Sequence, residues 1–288
     1  MYNLILGKGF VGSSLAHYFR TNNIECKIFS QSELNYTDSK VFQKYIEENN
    51  KDIKCVINCS GYTGVPNVDA CETNKETCYN YNVLYPLQVA RVCKALAVPL
   101  IHIGSGCIYS GYDKEYTEED TPNFGMFSDD SSYYSKCKHI FETFAQNYPC
   151  YVLRIRIPFT GELSRKNYFT KLLNYDTLIN ELNSVTSLND FNEFIVRFIA
   201  ARPAHGIYNV VNPQPVKAEE VVWLLEKHRL KNLNWKFIDL KDLNTKANRS
   251  NCVLSTDKIA KLGLELPSTR DSLVRDVVAL ARSQGKDV

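Results

Sequence analysis

Leu4-Ile5-Leu6-Gly7-Lys8-Gly9-Phe10-Val11-Gly12 decides the fold. An apolar run enters glycines spaced G-x-G-x-x-G, and a helix-type stretch near Gly12–Asn22 follows. Glycines at that spacing permit a tight turn and a close backbone approach, so that the N-terminus of the next helix can hold a pyrophosphate. Alone the pattern is weak, because glycine-rich turns are common. A strand before it and a helix after it supply the context it needs. Gly7, Lys8, Gly9, Phe10, Val11 and Gly12 are therefore expected to hold a dinucleotide.

Working outward, short β-type runs alternate with helix-type stretches through the first half of the chain. Strands are expected at Asn3–Leu6, Cys26–Phe29, Cys55–Cys59, Leu100–Ile103 and Tyr151–Ile155, with helices near Gly12–Asn22, Lys40–Glu48, Thr77–Leu96 and Tyr134–Gln146. The strands are apolar on both faces, as in a parallel sheet covered by helices on each side. The fold class is thus α/β, a doubly wound parallel sheet. Further on, a helix around Asp190–Ala200 leads to Ile207–Val211, which is expected to return to the main sheet. A helix near Ala218–His228, a strand near Trp235–Leu240 and a helix near Ser272–Arg282 complete the chain, with a frayed tail after Arg282. Two prolines in Asn212-Pro-Gln-Pro215 suggest a boundary there. The expected division is a nucleotide-binding domain over 1–160 with about 188–212, and a smaller substrate-binding region over about 161–187 and 213–288.

Composition narrows the partners. The chain has 288 residues, 44% hydrophobic and 23% charged, with a formal charge of +2 and no basic stripe, so neither nucleic acid nor an anionic membrane is expected. No apolar run reaches the ~18 residues of a membrane span. The apolar start leads into the glycine loop and reads as a strand rather than a signal peptide. Ten cysteines lie scattered in apolar segments with no C-x-x-C pair. Reduced thiols in a cytoplasmic enzyme are expected, with neither a disulfide framework nor a metal site.

The end of the second strand bears on the cofactor. Many NAD enzymes place an acid there for the ribose hydroxyls. This chain reads Phe29-Ser30-Gln31-Ser32, with Glu33 the nearest acid. Ser30, Gln31 and Lys8 would then accept a 2′-phosphate, which favours NADPH, with NADH the alternative. Cys59, Ser60 and Gly61, after the third strand, are placed beside the same cofactor.

Tyr134-Ser-Lys-Cys-Lys138 sets a phenol and an ammonium four residues apart, on one face of an expected helix. The ammonium is expected to lower the phenol's pKa and make it a useful acid or base. This spacing is frequent on amphipathic helices. It gains weight from its position after Ile101–Ser105, where Ser105 ends a strand and can supply a hydroxyl.

These residues come with longer matches: Gly61-Tyr-Thr-Gly-Val-Pro-Asn-Val-Asp-Ala-Cys-Glu72, Gly106-Cys-Ile-Tyr109, Glu118-Glu-Asp-Thr-Pro-Asn-Phe124, Leu153-Arg-Ile-Arg-Ile-Pro158, Leu163-Ser, Phe169-Thr-Lys171 and Arg249-Ser-Asn251. Together they resemble extended short-chain dehydrogenase/reductases of the dTDP-4-dehydrorhamnose reductase type, built on a Rossmann domain. The likeness is closer still to the bifunctional UDP-4-keto-6-deoxy-glucose 3,5-epimerase/4-reductases that make UDP-L-rhamnose. The resemblance implies Ser105, Tyr134 and Lys138 as the reductase triad, Asn82 as support for the lysine, and Cys107 with Lys171 as the epimerase acid/base pair. It places Tyr62, Thr63, Asn67, Arg249 and Asn251 near the sugar and nucleotide. Without it, Cys107 would read as a buried thiol, Lys171 as a solvated helix lysine and Arg249 as a surface arginine. Arg154 and Arg156 are expected to brace strand ends. The family's glycine loop is generally one residue longer than Gly7–Gly12.

The chemistry implied is coherent. Hydrogens on C3 and C5 flank the C4 ketone, so removing either leaves an enolate whose oxygen Ser105 and Tyr134 could stabilise. Hydride then adds at C4 while Tyr134 gives a proton. A separate 4,6-dehydratase would supply the substrate, and a homodimer packed through the two long helices is expected from the fold. Two other readings stay open: a reductase without epimerase activity, and a non-catalytic NADPH-binding regulatory subunit.

Overall fold

The computed structural model describes residues 1–230, 235–243 and 245–286. Six parallel strands form the central sheet: β1 (Tyr2–Leu6), β2 (Cys26–Phe29), β3 (Ile53–Asn58), β4 (Leu100–Ser105), β5 (Cys150–Ile155) and β6 (Gly206–Asn209), in the order β6-β5-β4-β3-β1-β2. All five strands read from the first half form, and the returning strand pairs with β5, Ile207 opposite Val152. The order reverses between β1 and β3, and loops after such neighbours diverge to opposite faces and leave a crevice.

Alternation within the strands builds a core on each face. Ile5, Ile57, Ile101 and Leu153 point to one side and pack under α1 (Phe10–Thr21) and a later helix bearing Phe191, Phe194 and Phe198. Leu4, Leu6, Val56, Leu100 and Val152 point to the other. There they meet Phe42 and Ile46 of α2 (Ser39–Asn49), Val89, Val92 and Cys93 of α3 (Tyr85–Ala95), and Phe141 of α4 (Tyr133–Ala145). A third core unites Phe169 and Leu172 of α5 (Tyr168–Asn174), Val221 and Leu225 of α7 (Ala218–Lys227), and Leu273, Val277 and Leu280 of α8 (Thr269–Ser283). The helix between these, α6, spans Leu188–Ala201.

Three expectations change in detail. The helix read as Thr77–Leu96 is interrupted: Lys75–Tyr79 is α-helical, Asn80–Leu84 forms a wider π-helical turn, and α3 follows. The strand read at Trp235–Leu240 is confined to Lys236–Ile238, paired with Thr177–Ile179. The tail is not frayed through Lys286. Gly285 takes φ +68°, its N–H bonds Arg282 O at 3.0 Å, and the Lys286 N–H bonds Ala281 O at 3.0 Å, which closes α8 with a left-handed C-terminal cap. Residues 287–288 of that tail lie outside the described residues. At the 212–215 stretch Asn212 is buried, donating to Asp190 Oδ2 at 2.7 Å and Ser272 Oγ at 3.1 Å. No described helix is long and apolar enough to cross a membrane.

Candidate active site

A cleft of about 1560 Å³ runs from the glycine loop past the ends of β3 and β4 to α5 and Arg249. It brings together Lys8, Gly9, Phe10, Val11, Cys59, Ser60, Gly61, Thr63, Asn67, Asn82, Ser105, Tyr134, Lys138, Lys171 and Arg249. They come from the glycine loop, the 59–67 segment, the π-helical turn, the end of β4, α4, α5 and the 250 segment.

The dinucleotide end is shaped by missing side chains. A Cβ on Gly12 would lie 2.1 Å from Gly7 O, and one on Gly7, at φ +100°, would lie 2.9 Å from Ser60 Cα. A Cβ on Gly9 would meet nothing within 4 Å. The loop is therefore folded tightly against the β3 end while its tip faces open space. α1 starts at Phe10 with no side-chain cap, so its first N–H groups are available to an anion. These features fit a dinucleotide pyrophosphate.

At the β2 end one expectation is corrected. Glu33 folds back to pair with Lys8 at 2.5 Å and accepts from the Ser30 N–H and hydroxyl, both at 2.8 Å. These bonds, with Lys8 foremost, hold its pKa at about 2. A carboxylate thus does stand where none was expected, already neutralised by Lys8. Gln31 is engaged with Thr37 Oγ1 at 3.0 Å and with the Tyr81 hydroxyl, and neither it nor Ser30 lines the cleft.

The helix carrying the phenol starts sharply. Ser132 caps α4 by accepting from the Ser135 N–H at 3.1 Å, which places Tyr134 in the first turn and Lys138 one turn on. Burial drives Tyr134 well above 10, with Cys107 adding to the rise and the Ser105 hydroxyl partly offsetting it. The expected lowering by the ammonium is not the leading influence. Lys138 Nζ sits 5.7 Å from the ring centre, and burial lowers the lysine's own pKa. Tyr134 is accordingly an acid holding its proton at neutral pH, as a proton donor requires.

Asn82 lies fully buried on the π-helical turn, which sets its side chain against the 61–62 backbone: Nδ2 donates to Tyr62 O at 2.8 Å and to Cys78 O at 2.9 Å. A Cβ on Gly61 would stand 3.2 Å from Asn82 Oδ1 and 3.7 Å from Lys138 Nζ, so this glycine keeps the floor beneath the lysine open. Single π turns inside helices frequently mark functional sites.

Cys107 is half-buried behind Ser105, whose Oγ accepts its N–H at 3.3 Å, and it is not on the cleft wall. Burial raises its pKa against the pull of the Ser105 and Ser135 hydroxyls. Lys171 on α5 does face the cleft, and burial followed by the charge of Arg249 lowers its pKa. Arg249 is bound to Asp69 at 2.9 Å and to Ala247 O at 2.7 Å. Tyr62 packs among Cys71, Cys78 and Cys137 instead of lining the cleft. Asn251 is buried away from it, accepting from Asn183 Nδ2 at 2.8 Å.

The strand-end arginines behave as read. Arg154 grips Glu142 through Nε (3.0 and 3.2 Å) and Nη2 (2.7 Å), tying α4 to β5. Arg156 donates to Gly106 O at 3.2 Å and Ser250 Oγ at 2.9 Å, tying the β4 end to the 250 segment. Two functional candidates escaped the sequence reading. Glu142 continues the Tyr134, Lys138 spacing by another four residues, a signal that was available. Lys166 lines the cleft and bonds Thr63 Oγ1 at 2.5 Å and Gly64 O at 2.9 Å; its only sequence mark is the Arg165-Lys166 pair before the helix-capping Asn167.

The model for the RmlD substrate binding domain matches residues 1–282. The chain belongs to that family. This RmlD-type chain is 33% identical over 235 residues to the bifunctional dTDP-4-dehydrorhamnose 3,5-epimerase/dTDP-4-dehydrorhamnose reductase of Arabidopsis thaliana, covering 77% of this chain and 75% of that one. It is 32% identical over 232 residues, 76% of its own length, to a trifunctional UDP-glucose 4,6-dehydratase/UDP-4-keto-6-deoxy-D-glucose 3,5-epimerase/UDP-4-keto-L-rhamnose-reductase of the same plant, and spans only 34% of that protein. Among solved structures, the L780 UDP-rhamnose synthase of Acanthamoeba polyphaga mimivirus superposes with a TM-score of 0.88 at 26% identity, covering 97% of this chain and 99% of the other.

Proposed function

We propose that the protein reduces the C4 ketone of a nucleotide-linked 4-keto-6-deoxyhexose with NADPH, after inverting C3 and C5 in the same cleft, and so forms UDP-L-rhamnose from UDP-4-keto-6-deoxy-D-glucose. The observation that carries this reading is one cleft lined by the glycine loop, by Ser105, Tyr134 and Lys138, and by Lys171. Its relatives' names, which include a UDP-rhamnose synthase, point the same way. An upstream 4,6-dehydratase would supply the substrate.

Bound NADPH supplies the hydride that C4 receives. The phenol of Tyr134 gives its proton to the C4 oxygen as the carbonyl electron pair moves there, and the Ser105 hydroxyl holds that oxygen in place. Gly7, Gly9 and Gly12 with the start of α1 would hold the pyrophosphate, and Lys138 would bind the ribose hydroxyls. In the epimerisation, Lys171, kept below the ordinary lysine pKa, takes a proton from C3 or C5 as its neutral amine. The thiol of Cys107, kept protonated by burial, returns one to the opposite face. Each inversion takes one C–H proton away and adds one back, leaving the substrate redox-neutral.

The position of Cys107 behind Ser105, off the cleft wall, favours one rival, a reductase without epimerase activity. Turnover of UDP-4-keto-6-deoxy-glucose with NADPH in heavy water separates the two. Deuterium at C3 and C5 of UDP-L-rhamnose, lost in a Cys107→Ala variant that still reduces the ketone, is the expected outcome. Reduction with no deuterium at either carbon would leave the reductase alone.

A further inference from the structure

Past Tyr134, the cleft is walled by an unusual run of cations. Arg165 and Lys166 precede α5, Lys171 lies on it, and Arg249 faces them from the 250 segment. Arg249 is matched by Asp69. Among the described residues, Arg165, Lys166 and Lys171 make no salt bridge, and Glu162 is the one acid on that stretch of wall, unpaired with any of them. Uncompensated like charges in a partly closed cleft are costly unless a ligand of opposite charge completes them.

Lys166 stands out within this run. Its ammonium bridges the cleft to the 63–64 turn, donating to the Thr63 hydroxyl and the Gly64 carbonyl. Both partners are neutral, and an ammonium has three N–H bonds, so one donor remains uncommitted. Burial, then Arg165 and Lys171, pull its pKa to about 8. It is thus a fixed cation at cleft level, poised for an anion to restore its full charge.

We propose that Lys166, with Arg165 beside it, binds the diphosphate of the nucleotide-sugar, its two bonds to Thr63 and Gly64 holding the ammonium so that its third N–H meets a phosphate oxygen. This rests on the nucleotide-sugar reading above. The charges match: a diphosphate linking nucleoside and sugar carries two negative charges, and Arg165 and Lys166 supply two unpaired positive ones. The assignment leaves Lys171, deeper and on the helix, free to act on the sugar carbons. It also gives the turn containing Thr63 a function, as the brace that positions the cation.

Calorimetric binding of UDP, dTDP and uridine to the full chain tests the assignment. Loss of one charge-assisted hydrogen bond predicts that Lys166→Met weakens the bound nucleoside diphosphate by about tenfold to a hundredfold, while uridine, which lacks phosphate, and NADPH bind as before. Lys166→Arg should recover most of the affinity, and Arg165→Ala should weaken it more mildly. Wild-type affinity for the diphosphate should also fall between pH 7 and pH 9, a decline that Lys166→Arg removes. Unchanged diphosphate binding in Lys166→Met, or an equal loss for uridine, would overturn the proposal while leaving the enzyme reading intact. A wild-type protein that binds neither UDP nor dTDP would instead overturn the nucleotide-sugar reading, and this assignment with it.

Discussion

Glu142→Gln is the perturbation whose outcome follows most directly from the geometry. Glu142 and Arg154 are 3% and 2% exposed and share three short N–H···O contacts. A Cβ on Gly104 would lie 3.5 Å from Glu142 Oε1 and 2.9 Å from Val152 Cγ1, so the sheet has been kept bare to admit the pair. The substitution preserves shape but leaves the guanidinium charge uncompensated in the core. Tyr109 and Asn209, its other partners at 3.2 and 3.4 Å, are neutral. Breaking a buried pair in this way costs about 3–5 kcal/mol. At roughly 2–4 °C per kcal/mol, the thermal midpoint should fall by roughly 6–20 °C. Since Tyr134, Lys138 and Glu142 occupy one helix face, the lost tether should also lower kcat with smaller effects on KM. Urea unfolding and steady-state kinetics are the assays. A double variant, Glu142→Leu with Arg154→Met, removes both charges and should regain much of the stability. A single variant less than about 1 kcal/mol weaker than wild type, or a double variant as unstable as the single, would refute the orphan-charge argument.

Tyr134→Phe should lower carbonyl reduction by about 10²–10⁴-fold while NADPH binding, followed by fluorescence, persists. Gly12→Ala should abolish dinucleotide binding without unfolding the sheet, because its Cβ would sit 2.1 Å from Gly7 O; titration of NADPH against the folded variant checks this. Lys171 titrates below the usual 10.5, and in the proposed epimerisation its neutral amine would be the base. Solvent exchange at C3 and C5 should therefore rise with pH above neutrality and level off below pH 10.5, and NMR in buffered heavy water would expose a flat profile. Tyr134 titrates above 10, so at saturating keto sugar reduction should not decline through loss of its proton up to that pH.

The sheet was legible because β1, β3, β4 and β5 are short apolar runs largely buried on both faces, and the glycine loop named the switch between β1 and β3. What escaped was set by tertiary partners. Pro86, inside Thr77–Leu96, lacks the N–H that an α-helix would donate to Asn82 O, a signal passed over; the turn before it widens to a π turn, from which Asn82 reaches the 61–62 backbone. Glu33 looked like a bystander three residues from Ser30, yet the turn between them brings its carboxylate onto both Ser30 donors and Lys8. Asn251 lay in a matching motif, but its side chain serves the buried network of Asn183 and Arg156 that fixes the 250 segment. A motif identifies a segment, and the fold decides which of its side chains face the ligand.

The same distinction explains how one cleft could serve two reactions. Reduction needs a proton donor at C4, and burial holds Tyr134 in that form. Epimerisation needs a base at an adjacent carbon, and burial pushes a lysine, unlike a phenol or thiol, toward its neutral and basic form. On the proposed reading, dry surroundings would give Tyr134 and Cys107 the acid role and Lys171 the base role without any separate tuning of each group. Replacing Lys171 by Met would remove the proposed base while keeping the site equally dry. The variant should lose exchange at C3 and C5 at neutral pH while still reducing a keto sugar supplied with both centres already inverted. Retained exchange in Lys171→Met would mean that Lys171 is not the base, which would have to be sought elsewhere on the cleft.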